Sequence, residues 1–203
     1  MLRISVFLDG ANFFFMQKNA LCWKVDPKKI LDYIETEGNI VDAFYYIGHD
    51  TPPEAKQQSY LDALPLMGYS LITKPIKTIY DANTGLTKQK ANLDIEIVLD
   101  MFNTIDSYDK AVLISGDGDF ERALTLLRAN GKQFTVIATD KFIARELRNV
   151  AGRHYIRFDD IRDKVEKTFV ECGIFIMGIY ALNKILLMLH YTNITIITHR
   201  NPN

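Results

Sequence analysis

The chain has 203 residues, which is enough for one well-packed domain of ordinary size. The 24 lysines and arginines nearly balance the 25 aspartates and glutamates, which excludes a strongly basic nucleic-acid carrier and an acidic tail protein. Hydrophobic residues make up 48% of the chain, so composition also excludes intrinsic disorder.

Cysteine usage and the first residues bear on the compartment. Cys22 and Cys172 stand far apart and form no CxxC motif, so the sequence predicts neither a disulfide framework nor a cysteine zinc site. The apolar run after Met1 is short and ends at Asp9, whereas a signal peptide needs a longer apolar stretch and a cleavage site. We therefore expect a cytoplasmic protein.

Strand-like and helix-like segments alternate along residues 1–167. Runs of apolar, β-branched and aromatic residues predict strands at 4–8, 40–47, 69–76, 111–114, 134–138 and 155–158. Apolar residues at helical spacing predict helices at 27–37, 53–64, 92–105, 120–130, 141–150 and 160–167. Asp26 is the expected N-cap of the first of these helices, and turn residues at 81–85 predict a hairpin tip. This alternation predicts an α/β fold with a mainly parallel sheet and a ligand site beyond the carboxyl ends of its strands.

Residues 168–203 differ in composition from the rest of the chain. Their charged residues are Glu171, Lys184 and Arg200, and the longest uncharged run, 185–199, is shorter than the ~18–20 residues of a usual membrane span. We expect a domain at 1–167 and an apolar C-terminal extension at 168–203. The favoured interpretation of the extension is an element that packs on the domain or on a second copy in a homodimer. Membrane contact and a non-native terminus are the alternatives.

Four aspartates fall where the parallel-sheet rule places ligands. Asp9 ends the first strand, Asp117 and Asp119 follow the strand at 111–114, and Asp94 opens a predicted helix. Carboxylates that converge on one point repel each other, and a hard divalent cation such as Mg²⁺ or Mn²⁺ relieves that repulsion. One ion, or two about 4 Å apart, could serve phosphodiester hydrolysis. The alternative is structural, with Asp9 in a turn, Asp117 as an N-cap and Asp119 as a first-turn charge.

Asp94 is singled out by its spacing. Apolar residues follow it at i+3, i+4 and i+7, which are Ile97, Val98 and Met101. A carboxylate on this apolar face needs a partner, because an unpaired buried charge is costly. The acidic and amide residues of the opposite face are expected to be solvated: Glu96, Asp100 and Asn103.

Three motifs in a fixed order resemble the NYN domain family of PIN-like nucleases, and most of all its LabA-like bacterial branch. They are DGAN at 9–12, KANLD at 90–94 and SGDGDF at 115–120, and the similarity covers roughly residues 1–165. The resemblance implies a PIN-like three-layer α/β/α sandwich and metal-dependent cleavage of RNA. It also implies catalytic or metal-binding roles for Asp9, Asp94, Asp117 and Asp119. Asn12 would orient a ligand or water near the metal, or else cap the helix that it starts. Ser115 would sit beside the metal, or else bond to the loop backbone.

Basic residues near these motifs are candidates for contact with RNA phosphates. Lys88 and Lys90 lead to Asp94, and Arg122 lies one turn after Asp119. Such contacts would position RNA without reading its sequence, although lysines of this kind are commonly only solvated. The leading hypothesis is a metal-dependent endoribonuclease that acts on single-stranded or structured RNA. The alternative is a regulatory RNA- or protein-binding module with the same fold and little turnover.

Overall fold

The computed structural model describes the backbone of residues 1–81 and 86–168 and the side chains of residues 1–76 and 91–168. By its internal contacts the chain divides into Met1–Lys167 and Thr168–Asn203. The prediction for the C-terminal extension therefore lies outside the described residues, apart from Thr168. The tip of the predicted hairpin, residues 82–85, also lies outside them.

The sheet contains six strands, all parallel, so the prediction of a mainly parallel α/β fold is confirmed. The described part of the chain has eight strands, six in this sheet and two in a separate hairpin. They are β1 (Arg3–Asp9), β2 (Asn39–His49), β3 (Ser70–Pro75), β4 (Lys77–Asp81), β5 (Leu86–Lys90), β6 (Lys110–Ile114), β7 (Gln133–Ala138) and β8 (Tyr155–Arg157). The order in the large sheet is β3-β2-β1-β6-β7-β8, and β4 and β5 form a separate antiparallel hairpin.

Helices connect the strands, as the alternation predicts. In the described part of the chain they are α1 (Gly10–Asn19), α2 (Pro27–Glu35), α3 (Ala55–Leu66), α4 (Asp94–Asn103), α5 (Glu121–Ala129), α6 (Arg145–Ala151) and α7 (Arg162–Val165). Asp26 caps α2 by accepting a hydrogen bond from the Lys28 N–H. The helix predicted from residue 141 begins only at Arg145, because the chain first turns back so that the N–H groups of Phe142 and Ile143 donate to the Thr139 carbonyl.

Helices cover both faces of the sheet, which gives the three layers of an α/β/α sandwich. On one face, side chains of α1, α2 and α7 pack against alternate residues of β1 such as Val6 and Leu8. On the other face, side chains of α4, α5 and α6 pack around Phe7 of the same strand. Each strand of the centre is therefore buried on both sides, which is why β1 and β6 read as nearly continuous apolar runs.

The two central strands mark the point where the order of the sheet reverses. From β1 the chain builds outward to β2 and β3, and it then returns to place β6 on the other side of β1. In parallel sheets the crevice outside the carboxyl ends at such a point is where ligands bind. The register pairs Leu8 with Ile114, so the residues that follow them, Asp9 at the end of β1 and Ser115 just after β6, lie side by side at this edge of the sheet.

Candidate metal site

Three carboxylates meet above the carboxyl ends of β1 and β6. Asp94, Asp117 and Asp119 each offer an oxygen, and these oxygens lie within 4.8 Å of one another. Asp94 and Asp117 are half-buried and Asp119 is exposed. Three negative charges at this spacing are unfavourable without a counter-charge, and the open side leaves room for a ligand.

The first turn of α4 carries Asp94 and is fixed from two directions. The Asp94 N–H donates to Asn92 Oδ1 at 2.9 Å. Lys74, at the end of β3, donates through Nζ to the Asn92 carbonyl at 3.1 Å and to Glu96 Oε1 at 2.6 Å. The lysine thereby lowers the pKa of the Glu96 carboxyl below its usual value, mainly through this hydrogen bond. The position of Asp94 thus depends on a tertiary contact between β3 and α4.

The prediction that the outer face of α4 is solvated is wrong for two of its three residues. Glu96 is half-buried against Lys74, and Asp100 accepts a 2.9 Å hydrogen bond from the Tyr46 hydroxyl of β2. Asn103 is exposed as expected. The sequence gives little sign of these contacts, because both partners come from strands far away along the chain.

The loop after β6 is shaped by a close backbone approach. A Cβ on Gly116 would lie 2.4 Å from the Phe142 carbonyl oxygen, and the Gly116 carbonyl accepts from the Ala144 N–H at 2.8 Å. The loop then turns at Asp117, whose Oδ1 accepts from the Asp119 N–H at 3.0 Å. Asp117 is therefore an N-cap of the single helical turn Gly118–Phe120, as the structural alternative holds, while its carboxylate belongs to the cluster as well.

Asp9 is buried beneath the cluster and is not one of the three grouped carboxylates. Only 8% of the residue is exposed. Its Oδ1 accepts from the Asn12 N–H at 3.1 Å, and its Oδ2 accepts from the Ser115 hydroxyl at 3.0 Å. Burial raises the pKa of the Asp9 carboxyl to about 6 against the effect of these two hydrogen bonds, and the charges of Asp94 and Asp117 raise it further.

Asn12 and Ser115 join α1 to the loop after β6. Asp9, not Asn12, is the N-cap of α1, so of the two roles considered for Asn12 the helix cap is wrong. Asn12 Oδ1 instead accepts from the Gly116 N–H at 2.9 Å. Ser115 donates to Asp9 and accepts from the Asp117 N–H at 3.2 Å, so it bonds to the loop backbone and to the buried carboxylate together.

The predicted phosphate-binding residues come from two elements, the β4–β5 hairpin and α5. The side chains of Lys88 and Lys90 lie outside the described part of the structure, although the backbone register pairs Lys90 with Lys77 across the β4–β5 hairpin. Arg122 is exposed in the first turn of α5, directly after the helical turn that holds Asp119. Lys74 forms an ion pair with Glu96, so its ammonium group is already used and is not a candidate for binding an RNA phosphate.

A three-layer α/β/α domain with clustered carboxylates at the reversal point of a parallel sheet is typical of nuclease-like proteins of the PIN-like class. The model of the NYN domain matches residues 3–161, and the chain therefore belongs to the NYN domain family. It is 48% identical over 170 residues to the Low amplitude and bright protein LabA of Synechococcus elongatus, which covers 82% of this chain and 89% of that protein. The resemblance to the NYN family and to its LabA-like branch is confirmed.

A solved structure supports the fold. The crystal structure of a protein of unknown function from Vibrio parahaemolyticus superposes with a TM-score of 0.69 at 22% identity, over 81% of this chain and 96% of that chain. At this identity the likeness extends to the fold alone. Within the described residues, the helices are too short or too polar to cross a membrane.

Proposed function

We propose that this protein is a metal-dependent ribonuclease that hydrolyses RNA phosphodiester bonds at the carboxylate cluster. The observation that carries the proposal is the approach of three carboxylates, Asp94, Asp117 and Asp119, within 4.8 Å at the reversal point of the sheet. Membership of a nuclease-like family supports hydrolase chemistry. Among the nucleic acids that such a hydrolase could cleave we propose RNA as the substrate, and we propose the cytoplasm as the compartment in which the enzyme acts.

The chemistry of the donor set favours Mg²⁺ or Mn²⁺. The cluster offers carboxylate oxygens only, which suit hard cations that keep several waters, whereas zinc sites usually include histidine or cysteine. Asp94, Asp117 and Asp119 would hold one or two ions. A bound ion of this kind supplies Lewis-acid polarisation of a phosphate oxygen and a more acidic water.

The neighbouring residues would keep this site in shape. Ser115 and Asn12 tie the loop of Asp117 to the start of α1, which limits the freedom of the acidic side chains before RNA binds. Asp9 would contribute negative charge from beneath the cluster, and we propose it as the fourth member of the catalytic set. Asn12 Oδ1 is engaged by Gly116, so Asn12 would orient a phosphate oxygen or a water through its Nδ2 group.

RNA would be held mainly through its phosphates. The net charge of -1 gives no general attraction to a polyanion, so local cations must supply it. We propose Lys88 and Lys90 of the hairpin and Arg122 of α5 for this role, because both elements adjoin the cluster in sequence. Such contacts would not distinguish one RNA sequence from another.

The test is cleavage of a labelled RNA by the purified protein with Mn²⁺ or Mg²⁺, and its loss with EDTA. Asp94→Asn should abolish cleavage, whereas Asp163→Asn, at an exposed position of α7, serves as the matched control and should cleave as wild type does. A protein that binds RNA but cuts it with neither ion is the regulatory module of the alternative hypothesis. Cleavage that persists in Asp94→Asn would come from a contaminant and would defeat the proposal.

A further inference from the structure

The strand β3 forms one edge of the six-stranded sheet and, within the described residues, pairs only with β2. The strand at the opposite edge, β8, has three residues, whereas β3 has six. A very short edge strand gives another chain little to pair with, so β8 is protected from such pairing and β3 is not. The outer side of β3 is therefore a place where a further strand could add to the sheet.

The hydrogen bonds to β2 show which backbone groups of β3 point outward. The Ile76 N–H, directly after β3, donates to the His49 carbonyl of β2 at 2.8 Å. Successive residues of a strand direct their backbone groups to opposite sides, so Lys74 bonds to β2 as well, whereas Leu71 and Thr73 direct theirs away from it. Among the described residues no strand lies beside these two outward N–H groups.

A groove of about 450 Å³ lies beside this edge, between β3 and α3. Leu71 and Thr73 line it from the strand, and Leu61 is among the residues that line it from the helix. The two strand residues with outward backbone groups are thus the same two whose side chains face the groove. A strand added to β3 would place every second side chain over this β3–α3 groove.

The polar side chains of the β3–α3 groove offer hydrogen-bond acceptors. Gln58 Nε2 donates to Asp62 Oδ1 at 2.7 Å, which leaves the amide oxygen of Gln58 and the second carboxylate oxygen of Asp62 as acceptors. His49 Nδ1 lies 2.8 Å from the Asp50 carbonyl oxygen, and this nitrogen carries the proton because a carbonyl only accepts. When the ring is neutral, its Nε2 atom is an acceptor as well.

The charge around the groove is negative. The segment 49–62, which supplies most of the lining, contains the acids Asp50, Glu54 and Asp62 and one basic residue, Lys56. Asp62 is exposed, and within the described part of the chain its carboxylate forms no ion pair with a lysine or arginine. A side chain that carries a positive charge and several donors therefore complements this groove.

An arginine side chain has each of these properties. Its guanidinium group has five N–H donors and no acceptor, and its methylene stem can pack on apolar walls such as Leu61 and Leu71. Lysine carries the same charge, but its three donors are on one nitrogen and reach fewer of the separated acceptors. The β3 strand of a second copy would not supply this group, because it contains no arginine and its Lys74 is paired with Glu96.

We infer that β3 and the β3–α3 groove bind an extended, arginine-bearing segment of a partner protein, which adds to the sheet as a further strand and places its arginine against Asp62. Backbone hydrogen bonds to Leu71 and Thr73 supply affinity for any extended segment, and the groove selects the arginine. The inference goes beyond the proposed ribonuclease. It uses none of the clustered carboxylates, so it holds or fails whether or not the protein cuts RNA.

The first measurement is amide hydrogen exchange in the free full-length protein. The N–H groups of Leu71 and Thr73 should exchange fast, whereas those of Ile72 and Lys74, which bond to β2, should exchange slowly. Slow exchange of the outward pair would show that the edge is already covered, by a second copy if the protection rises with protein concentration and by the chain itself if it does not. Either result overturns the inference.

The second measurement is binding of synthetic peptides to the full-length protein, followed by fluorescence anisotropy. The parent peptide is short, capped and rich in β-branched residues, with one central arginine. A second peptide has citrulline in place of the arginine, which removes the charge and keeps the shape. Two more are N-methylated on alternate residues, one at the arginine and every second residue from it, the other at the residues between.

We expect the parent peptide to slow exchange at Leu71 and Thr73 and one of the two N-methylated forms to lose binding, since only alternate N–H groups of an added strand face β3. Citrulline, or Asp62→Asn in the protein, should weaken binding about threefold to fivefold, as expected for a partly exposed ion pair. Asp163→Asn, at an exposed position of α7, is the matched control and should bind as wild type does.

Three results would overturn the inference. The parent peptide fails to bind or leaves the exchange of Leu71 and Thr73 unchanged, both N-methylated forms bind as the parent does, or neither citrulline nor Asp62→Asn weakens binding. Melting temperatures of both variants check that the fold is retained.

Discussion

Lys74 Nζ lies 2.6 Å from Glu96 Oε1 and 3.1 Å from the Asn92 carbonyl oxygen, so one side chain from β3 holds both sides of Asp94. A cation placed this close to an acidic cluster has two opposite effects on a metal ion. Its charge repels the ion, whereas its contacts fix the turn that presents Asp94. The lysine assists metal binding if the fixing of this turn has the larger effect, and it hinders metal binding if the repulsion is larger.

We predict that Lys74→Met weakens Mn²⁺ binding severalfold, because the loss of the fixed turn outweighs the loss of repulsion. Lys74→Arg should restore much of the affinity. The free energy of unfolding without metal should fall by no more than about 1 kcal/mol, since both partners of the pair are partly exposed. Calorimetric titration with Mn²⁺ measures the affinity. Tighter binding by Lys74→Met would show that repulsion dominates and that the positioning role is wrong.

The buried carboxyl of Asp9 predicts an unusual pH dependence of the metal-free protein. Its pKa is about 6 in the fold, against about 4 for an unfolded aspartate. The folded protein therefore binds the proton more tightly than the unfolded chain does. The resulting contribution to stability is fully present below pH ~4 and is lost as the pH rises through about 6.

Asp9→Asn should remove this titration, since an amide keeps an acceptor for the Asn12 N–H and carries no charge. In EDTA the variant should show a flatter dependence of the free energy of unfolding on pH between 4 and 6 than wild type. Urea denaturation at several pH values measures both slopes. Parallel curves for the two proteins would contradict the raised pKa of Asp9.

Two glycines of the loop after β6 should differ in their tolerance of a methyl group. A Cβ on Gly116 would lie 2.4 Å from the backbone oxygen of Phe142, which cannot move without shifting the chain. A Cβ on Gly118 would meet the Ala144 Cβ at 3.1 Å. We expect Gly116→Ala to cost about 1–3 kcal/mol of unfolding free energy and Gly118→Ala clearly less. Equal losses in thermal or urea unfolding would mean that the 115–119 loop relaxes freely.

The sequence predicts the framework of this fold better than its details, and particular residues show why. The strand at 111–114 is predictable because all four of its residues are apolar, as expected of a strand that is buried on both faces. The grouping of Asp117 with Asp94 follows from the parallel-sheet rule. The burial of Asp9 beneath the group does not follow, because it depends on the register that sets Leu8 beside Ile114. Contacts such as Tyr46–Asp100 join residues distant along the chain and leave no periodic signal.

The domain prediction has its own test. We propose that residues 168–203 are an accessory packing element and that 1–167 form the NYN domain. Deletion of 170–203 should leave a soluble protein that binds Mn²⁺ as the full chain does. Oligomeric mass is the one property in which the truncated and full-length proteins are expected to differ. Light scattering and fractionation measure this outcome. Full-length protein in the membrane fraction together with a truncation in the soluble fraction would favour the membrane alternative.

The last prediction separates a metal site from a structural use of Asp94. In a metal site, three mutually repelling carboxylates destabilise the metal-free protein, so Asp94→Asn should raise its melting temperature in EDTA. Wild type should gain stability from Mn²⁺, by about 2.7 kcal/mol at a hundredfold excess over the dissociation constant, and the variant should gain much less. If Asp94 were only a helix-start charge, its loss would cost ~0.3–1 kcal/mol and Mn²⁺ would have no effect. Melting of wild type, Asp94→Asn and the control Asp163→Asn, each with and without Mn²⁺, distinguishes the two by the sign of the change.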